Sequence, residues 1–130
     1  MSLIDDLLGA AQALFEDRET LAAARGDRRA RARHYALLAS VATAELAAAL
    51  RLGEPALDQC VELGAALAPL SDMAASPALV QLSTGLKADG AAAGLRAEVQ
   101  ALDGRDRALA DLDQAAGVLR ALARTMSAGQ

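Results

Sequence analysis

Aromatic side chains are almost missing from this chain. Phe15 and Tyr35 stand alone in 130 residues, and tryptophan is absent. That scarcity excludes a large aromatic cofactor pocket. The single cysteine, Cys60, excludes an internal disulfide, so the fold needs no oxidising compartment. Val, Ile and Thr are few and nowhere alternate with polar residues, which excludes a sheet. Long apolar runs are also lacking. The longest uncharged stretch, Met73 to Leu86, holds Pro77, two serines, a glutamine and a threonine, so no membrane-inserted helix is expected. Asp5 and Asp6 stand where the apolar core of a signal peptide would lie, and the expected location is the cytoplasm. Basic charge is short as well: the net charge is −4 and the pI about 4.9, which argues against nucleic acid as the partner.

What the chain does have is alanine, 35 residues of it, within a composition that is 54% hydrophobic. Alanine favours helix above all other residues and adds little volume, so the expected core is built from closely packed helices with Leu and Val knobs. The length fits one domain with one core. The expected fold is all-α, a single antiparallel bundle of four or five helices over 1–130, with 127–130 a frayed polar end.

The clearest periodicity lies near the C-terminus. Leu95, Val99 and Leu102 recur at helical steps, and after Asp103-Gly104 the pattern resumes with Leu109, Leu112, Ala116, Leu119, Ala123 and Met126. A seam of this kind requires a partner surface, in the same chain or another. Leu95, Val99, Leu102, Leu109, Leu112 and Leu119 are the candidate partner-binding residues.

In chain order, a first helix is predicted over about Leu3 to Ala24, capped by Ser2, with Asp5 and Asp6 suited to its positive end. Gly26-Asp27 should end it and begin a second helix from about Arg28 to Arg51. Short connections make those two a hairpin. Helix two is apolar nearly all round, which marks it as the core helix or as one covered by another chain. Gly53-Glu54-Pro55 starts a third helix that should end at Pro69. Ser76-Pro77 restarts helix, and Gly85, Gly90 and Gly94 predict a loop or kink between Thr84 and Gly94.

Residues with reactive chemistry are few. His34 and Glu45 share one side of helix two but stand eleven positions apart, roughly 16 Å, too far to share a metal. Folding the hairpin would bring His34 near Arg18 and Glu19. A ferritin-like di-metal bundle needs Glu-x-x-His, and Arg31 occupies that glutamate's place. A bundle that has lost its metal ligands is the form in which that class survives here. Histidine phosphotransfer domains carry a Lys and a small residue soon after the His, and His34-Tyr35-Ala36-Leu37-Leu38 does not match. Cys60 lies on an apolar face and reads as a small hydrophobe. No glycine-rich phosphate loop follows a strand. No cofactor and no enzymatic activity are expected. Five arginines, Arg25, Arg28, Arg29, Arg31 and Arg33, stand against Asp27 alone and leave a local excess of four positive charges. An arginine cluster is poorly placed at a helix N-terminus, which makes it a candidate patch for an acidic partner.

Two segments carry a family resemblance. Leu14-Phe15-Glu16-Asp17-Arg18-Glu19-Thr20-Leu21, then Arg25-Gly26-Asp27, Arg33 and Leu37-Leu38, resembles the FlgN-type flagellar type III export chaperones, with an acid-rich first helix, a Gly-Asp turn and a Leu-Leu step. Leu95-Arg96-Ala97-Glu98-Val99-Gln100-Ala101-Leu102-Asp103-Gly104-Arg105-Asp106 is similar to a second region of that family, with Asp103 and Asp106 where the family often has Asn. The resemblance covers about half the chain. It implies a cytoplasmic bacterial chaperone that holds C-terminal helices of hook–filament junction proteins, with Leu95 to Leu119 as the client surface. A self-assembling bundle, as a homodimer or assembly subunit burying helix two between copies, is the alternative.

Overall fold

A computed structural model describes residues 2–74, 76–101 and 104–127. Of the expected loose end at 127–130, Ser127 is the last residue of α7 and 128–130 lie outside the described residues, as do the seam residues Leu102 and Asp103. The fold is all-α, and the described residues form seven helices: α1 Leu3–Glu16, α2 Arg18–Ala23, α3 Asp27–Leu52, α4 Leu57–Ala74, α5 Pro77–Lys87, α6 Ala91–Gln100 and α7 Arg105–Ser127.

Local signals set most helix ends. Ser2 Oγ accepts a hydrogen bond from the Asp5 amide at 3.2 Å and caps α1. Ser76 caps α5 in the same way, accepting from the Leu79 amide at 3.3 Å, with Pro77 in the first turn. Gly53 ends α3 with φ 72°, a left-handed conformation that glycine adopts without a Cβ clash. At the start of α3 the cap position is Gly26, and Asp27 is already helical.

Three expectations about the elements need correction. The first helix is two pieces, broken at Asp17. Pro69 does not end α4, which continues to Ala74 and buries Leu70 and Ser71 beyond it. A proline inside a helix removes one amide donor, and the burial of the following turn holds the helix together past it. The first two long helices do not form a hairpin either. α1 packs mainly on α7, while α3 packs against α7 and α4. The break at Asp17 and the short α2 carry α1 away from α3.

The registers of α3 follow from its cross-helix hydrogen bonds. Arg29 near its start reaches Met126, Ser40 reaches Ala116 and Arg51 reaches Asp113, so α7 runs antiparallel to it. Arg28 meets Met73, and the Gly53 turn joins the opposite ends, so α4 is antiparallel on the other flank. α5 packs back on α4. There Ser83 Oγ donates to the Gly64 carbonyl at 2.7 Å.

α7 lies between α1 and α3, with α6 and α2 also against it, and is the central element. The core consists of Leu7, Leu46, Leu63, Leu67, Leu70, Leu112, Leu119, Leu122 and their neighbours, with Phe15 and Tyr35 only partly buried at its edge. The inward side of α3 is mostly alanine, Ala32, Ala36, Ala39, Ala42, Ala47 and Ala49, which lets α4 and α7 approach closely.

Candidate protein-binding surface

The described residues of the C-terminal seam do not form a surface. Leu95, Val99, Leu109, Leu112 and Leu119 are each at most 5% exposed, and they meet the rest of the bundle instead of solvent. The reason is their place in the packing: α7 is covered on one side by α1 and on the other by α3. As candidate partner-binding residues these five are corrected to core residues.

The open apolar face belongs to α3. Leu37 is 49% exposed, Leu38 43%, Val41 47% and Leu52 71%. Spacings of three, four and seven put them on one side of the helix with His34, Ala44, Glu45 and Ala48, all exposed. α3 carries a single charged residue, Glu45, between Arg33 and Arg51. By length and composition alone it is apolar enough to cross a membrane, as a core helix also can be, and half of its most apolar stretch is buried in the bundle. The interruption by Glu45 hides this property from a search for uncharged runs. Leu57 and Val61 on α4 and Val80 on α5 are further half-exposed apolar residues.

His34 stands on this face with its ring edge-on to that of Tyr35, centroids 5.2 Å apart. The expected contact with Arg18 is replaced by a local one. Arg18 lies over the Phe15 ring at 4.5 Å and donates to the Phe15 carbonyl at 3.0 Å. Among the described residues, no three His, Cys, Asp or Glu side chains are grouped as metal ligands would be. Cys60 is fully buried on the inner side of α4, and burial pushes its thiol pKa up.

The arginine cluster has a structural task. Arg29 Nε donates to the Met126 carbonyl at 2.9 Å, at the end of α7, and Arg28 to the Met73 carbonyl at 3.4 Å, at the end of α4. Both place positive charge on the negative end of a neighbouring helix and serve carbonyls of a last turn. Arg29 is partly buried in its contact, whereas Arg28 stays exposed. The start of α3 lies between two helix ends, and that arrangement accounts for arginines at a helix N-terminus. Arg25, Arg31 and Arg33 are exposed. At the other end of the bundle Arg105 does likewise for α3, donating to the Arg51 carbonyl at 3.1 Å, and Arg96 donates to the carbonyl of Glu54, just beyond the helix, at 2.7 Å.

One groove is large enough to note. It runs between α1 and α5, about 560 Å³, floored by Leu3, Leu14, Leu79 and Leu82 and lipped by Asp5 and Asp17. Sequence reasoning missed this groove, and of the α3 face it gave only that helix two is the core helix or one covered by another chain, not the residues that stand open. The signal for the face was present in the apolar breadth of helix two. Comparison of the chain with protein-family models, curated proteins and solved structures returns no match.

Proposed function

We propose that this protein is a non-enzymatic, cytoplasmic protein-binding module that seats an amphipathic helix of another protein on the outer face of α3. In this reading α1, α3, α4 and α7 are the frame of an antiparallel bundle, and α2, α5 and α6 are its shorter attachments. The observation that carries the proposal is the row Leu37, Leu38, Val41 and Leu52, four large apolar side chains 43–71% exposed on one helix face. Helix-in-groove and helix-on-helix recognition use anchors at this spacing. Continuous apolar exposure on one element marks an interaction site more often than scattered exposure does.

A type III export chaperone is the specific form of this reading, supported by the patterns at Leu14–Leu21 and Leu95–Asp106. The client's helix would then lie on α3, since the described residues of the seam are buried. The test is affinity purification from the source cell with wild type, Leu38→Asp and Val41→Asp side by side. Proteins retained by wild type and lost by both variants support the proposal, provided the variants keep their helical circular dichroism. Identical capture by all three would sink it.

A further inference from the structure

We infer that a second copy of this chain covers the outer face of α3 when no other helix is bound. The two α3 helices pack antiparallel about a two-fold axis near Leu38 and Val41. The inference rests on reading this face as a docking surface, and it adds the occupant.

The order of chemistry along the face is the argument. Arg31 and the imidazole of His34 stand at its N-terminal end, Leu37, Leu38, Val41 and Ala44 in the middle, and the carboxylate of Glu45 beyond them, all exposed. From Arg31 to Glu45 the face runs basic, apolar, acidic, and that segment complements itself when turned end for end, while Ala48 and Leu52 continue the apolar face beyond Glu45. With the axis midway between Leu38 and Val41, Leu38 of one copy meets Val41 of the other. Glu45 then meets His34 of the second copy, with Arg31 one turn along. A parallel pairing would instead set Glu45 on Glu45 and arginine on arginine, which is repulsive. Self-complementarity under a two-fold is what an isologous interface requires.

Side-chain size agrees. Leu38 and Val41 at the crossing point set the helix axes about 10 Å apart, and Ala48, opposite Arg31 of the second copy in this register, leaves room for its side chain. Charge placement also favours a protein over a lipid surface. A helix lying on a membrane carries Lys and Arg along its polar flanks, whereas this face has an acid within its apolar stretch and arginines only at the ends of the helix. The contact is limited in area. One helix face per copy, about 24 Å long for sixteen residues, falls short of the roughly 800 Å² per partner of a standard interface. The dimer is therefore reversible and concentration-dependent, leaving the face open to exchange with a client helix.

Sedimentation equilibrium from about 1 to 200 μM, the range in which a micromolar Kd is resolved, tests this directly. Wild type should pass from monomer to dimer within that range, and Val41→Asp should stay monomeric with unchanged circular dichroism. Glu45→Arg should weaken the dimer by roughly ten-fold, since the symmetric contact is altered twice. Glu45→Arg combined with His34→Glu should recover most of that loss. A wild type that stays monomeric throughout, or a dimer indifferent to Val41→Asp, overturns the inference. So does a monomer that binds vesicles of mixed phosphatidylserine and phosphatidylcholine in a Val41-dependent way, which would assign the face to a membrane surface. If wild type is monomeric yet Val41-dependent capture of a protein client persists, the second copy is refuted and the docking surface stands. If neither self-association nor capture depends on Val41, both readings fall.

Discussion

Cys60 illustrates how much a single buried group constrains. Its thiol has no exposed surface, and burial raises its pKa above the ordinary 9.0. The folded protein therefore keeps the thiol neutral at pH values where the unfolded chain ionises it. The resulting contribution to stability is fully present below the unfolded pKa and is lost as pH rises towards the folded one. Chemical denaturation at pH 7.5 and pH 10 should give lower stability at the higher pH, and Cys60→Ala should remove that part of the difference. A thiol reagent should leave Cys60 unmodified in the native protein and react fully in denaturant. Ser40 is a second such residue. Its hydroxyl donates to the Ala116 carbonyl at 3.0 Å across the α3–α7 contact, in the buried interior. That carbonyl keeps its own helical donor, so Ser40→Ala leaves no acceptor stranded. The expected loss is about 0.5–1.5 kcal/mol, measured as a shift in denaturation midpoint with unchanged slope.

Two glycines set the limits of helix propensity at the scale of the element. A Cβ at Gly64 in α4 would lie 2.9 Å from the Ser83 carbonyl oxygen and 2.9 Å from Lys87 Cγ. The lysine tail can move, but the carbonyl belongs to α5 and the whole helix must shift. Overpacking costs about 1–3 kcal/mol, against a gain of about 1 kcal/mol for replacing glycine in a helix. Gly64→Ala should thus be destabilising by about 1 kcal/mol. Gly117 in α7 has no atom within 4 Å of its would-be Cβ, and Gly117→Ala should raise stability by up to about 1 kcal/mol. Thermal melts of the two variants should shift in opposite directions. Helix ends such as Ser2, Gly53 and Ser76-Pro77 were legible in the sequence because capping is local chemistry. The tasks of Arg28 and Arg29 were not, because the carbonyls they serve lie 45 and 97 residues away.

For the whole molecule, the all-α class could be read from composition, yet the inner and outer faces of the two long helices could not. Large apolar residues normally point inward, and on α7 they do. On α3 the rule fails in part: alanines face inward beside Leu46 and Leu50, while Leu37, Leu38, Val41 and Leu52 face out. α3 is flanked closely by α4 and α7, and small side chains fill much of the room between them. Alanine is at home both buried and exposed, so an alanine-rich helix does not show in sequence which side is covered. Paired substitutions settle the assignment experimentally. Leu112 has no exposed surface. Leu112→Asp removes several kcal/mol of packing and adds a buried carboxylate, a loss comparable to the 5–15 kcal/mol that holds a typical domain together. Val41→Asp acts on a half-exposed side chain in a helix where the two residues have similar propensity, and should change stability by no more than about 0.5 kcal/mol. In far-ultraviolet circular dichroism at 25 °C, Leu112→Asp should lose most of its helical signal and Val41→Asp none. If Leu112→Asp instead folds as wild type does, the seam is free after all and α7 is not the centre of the fold.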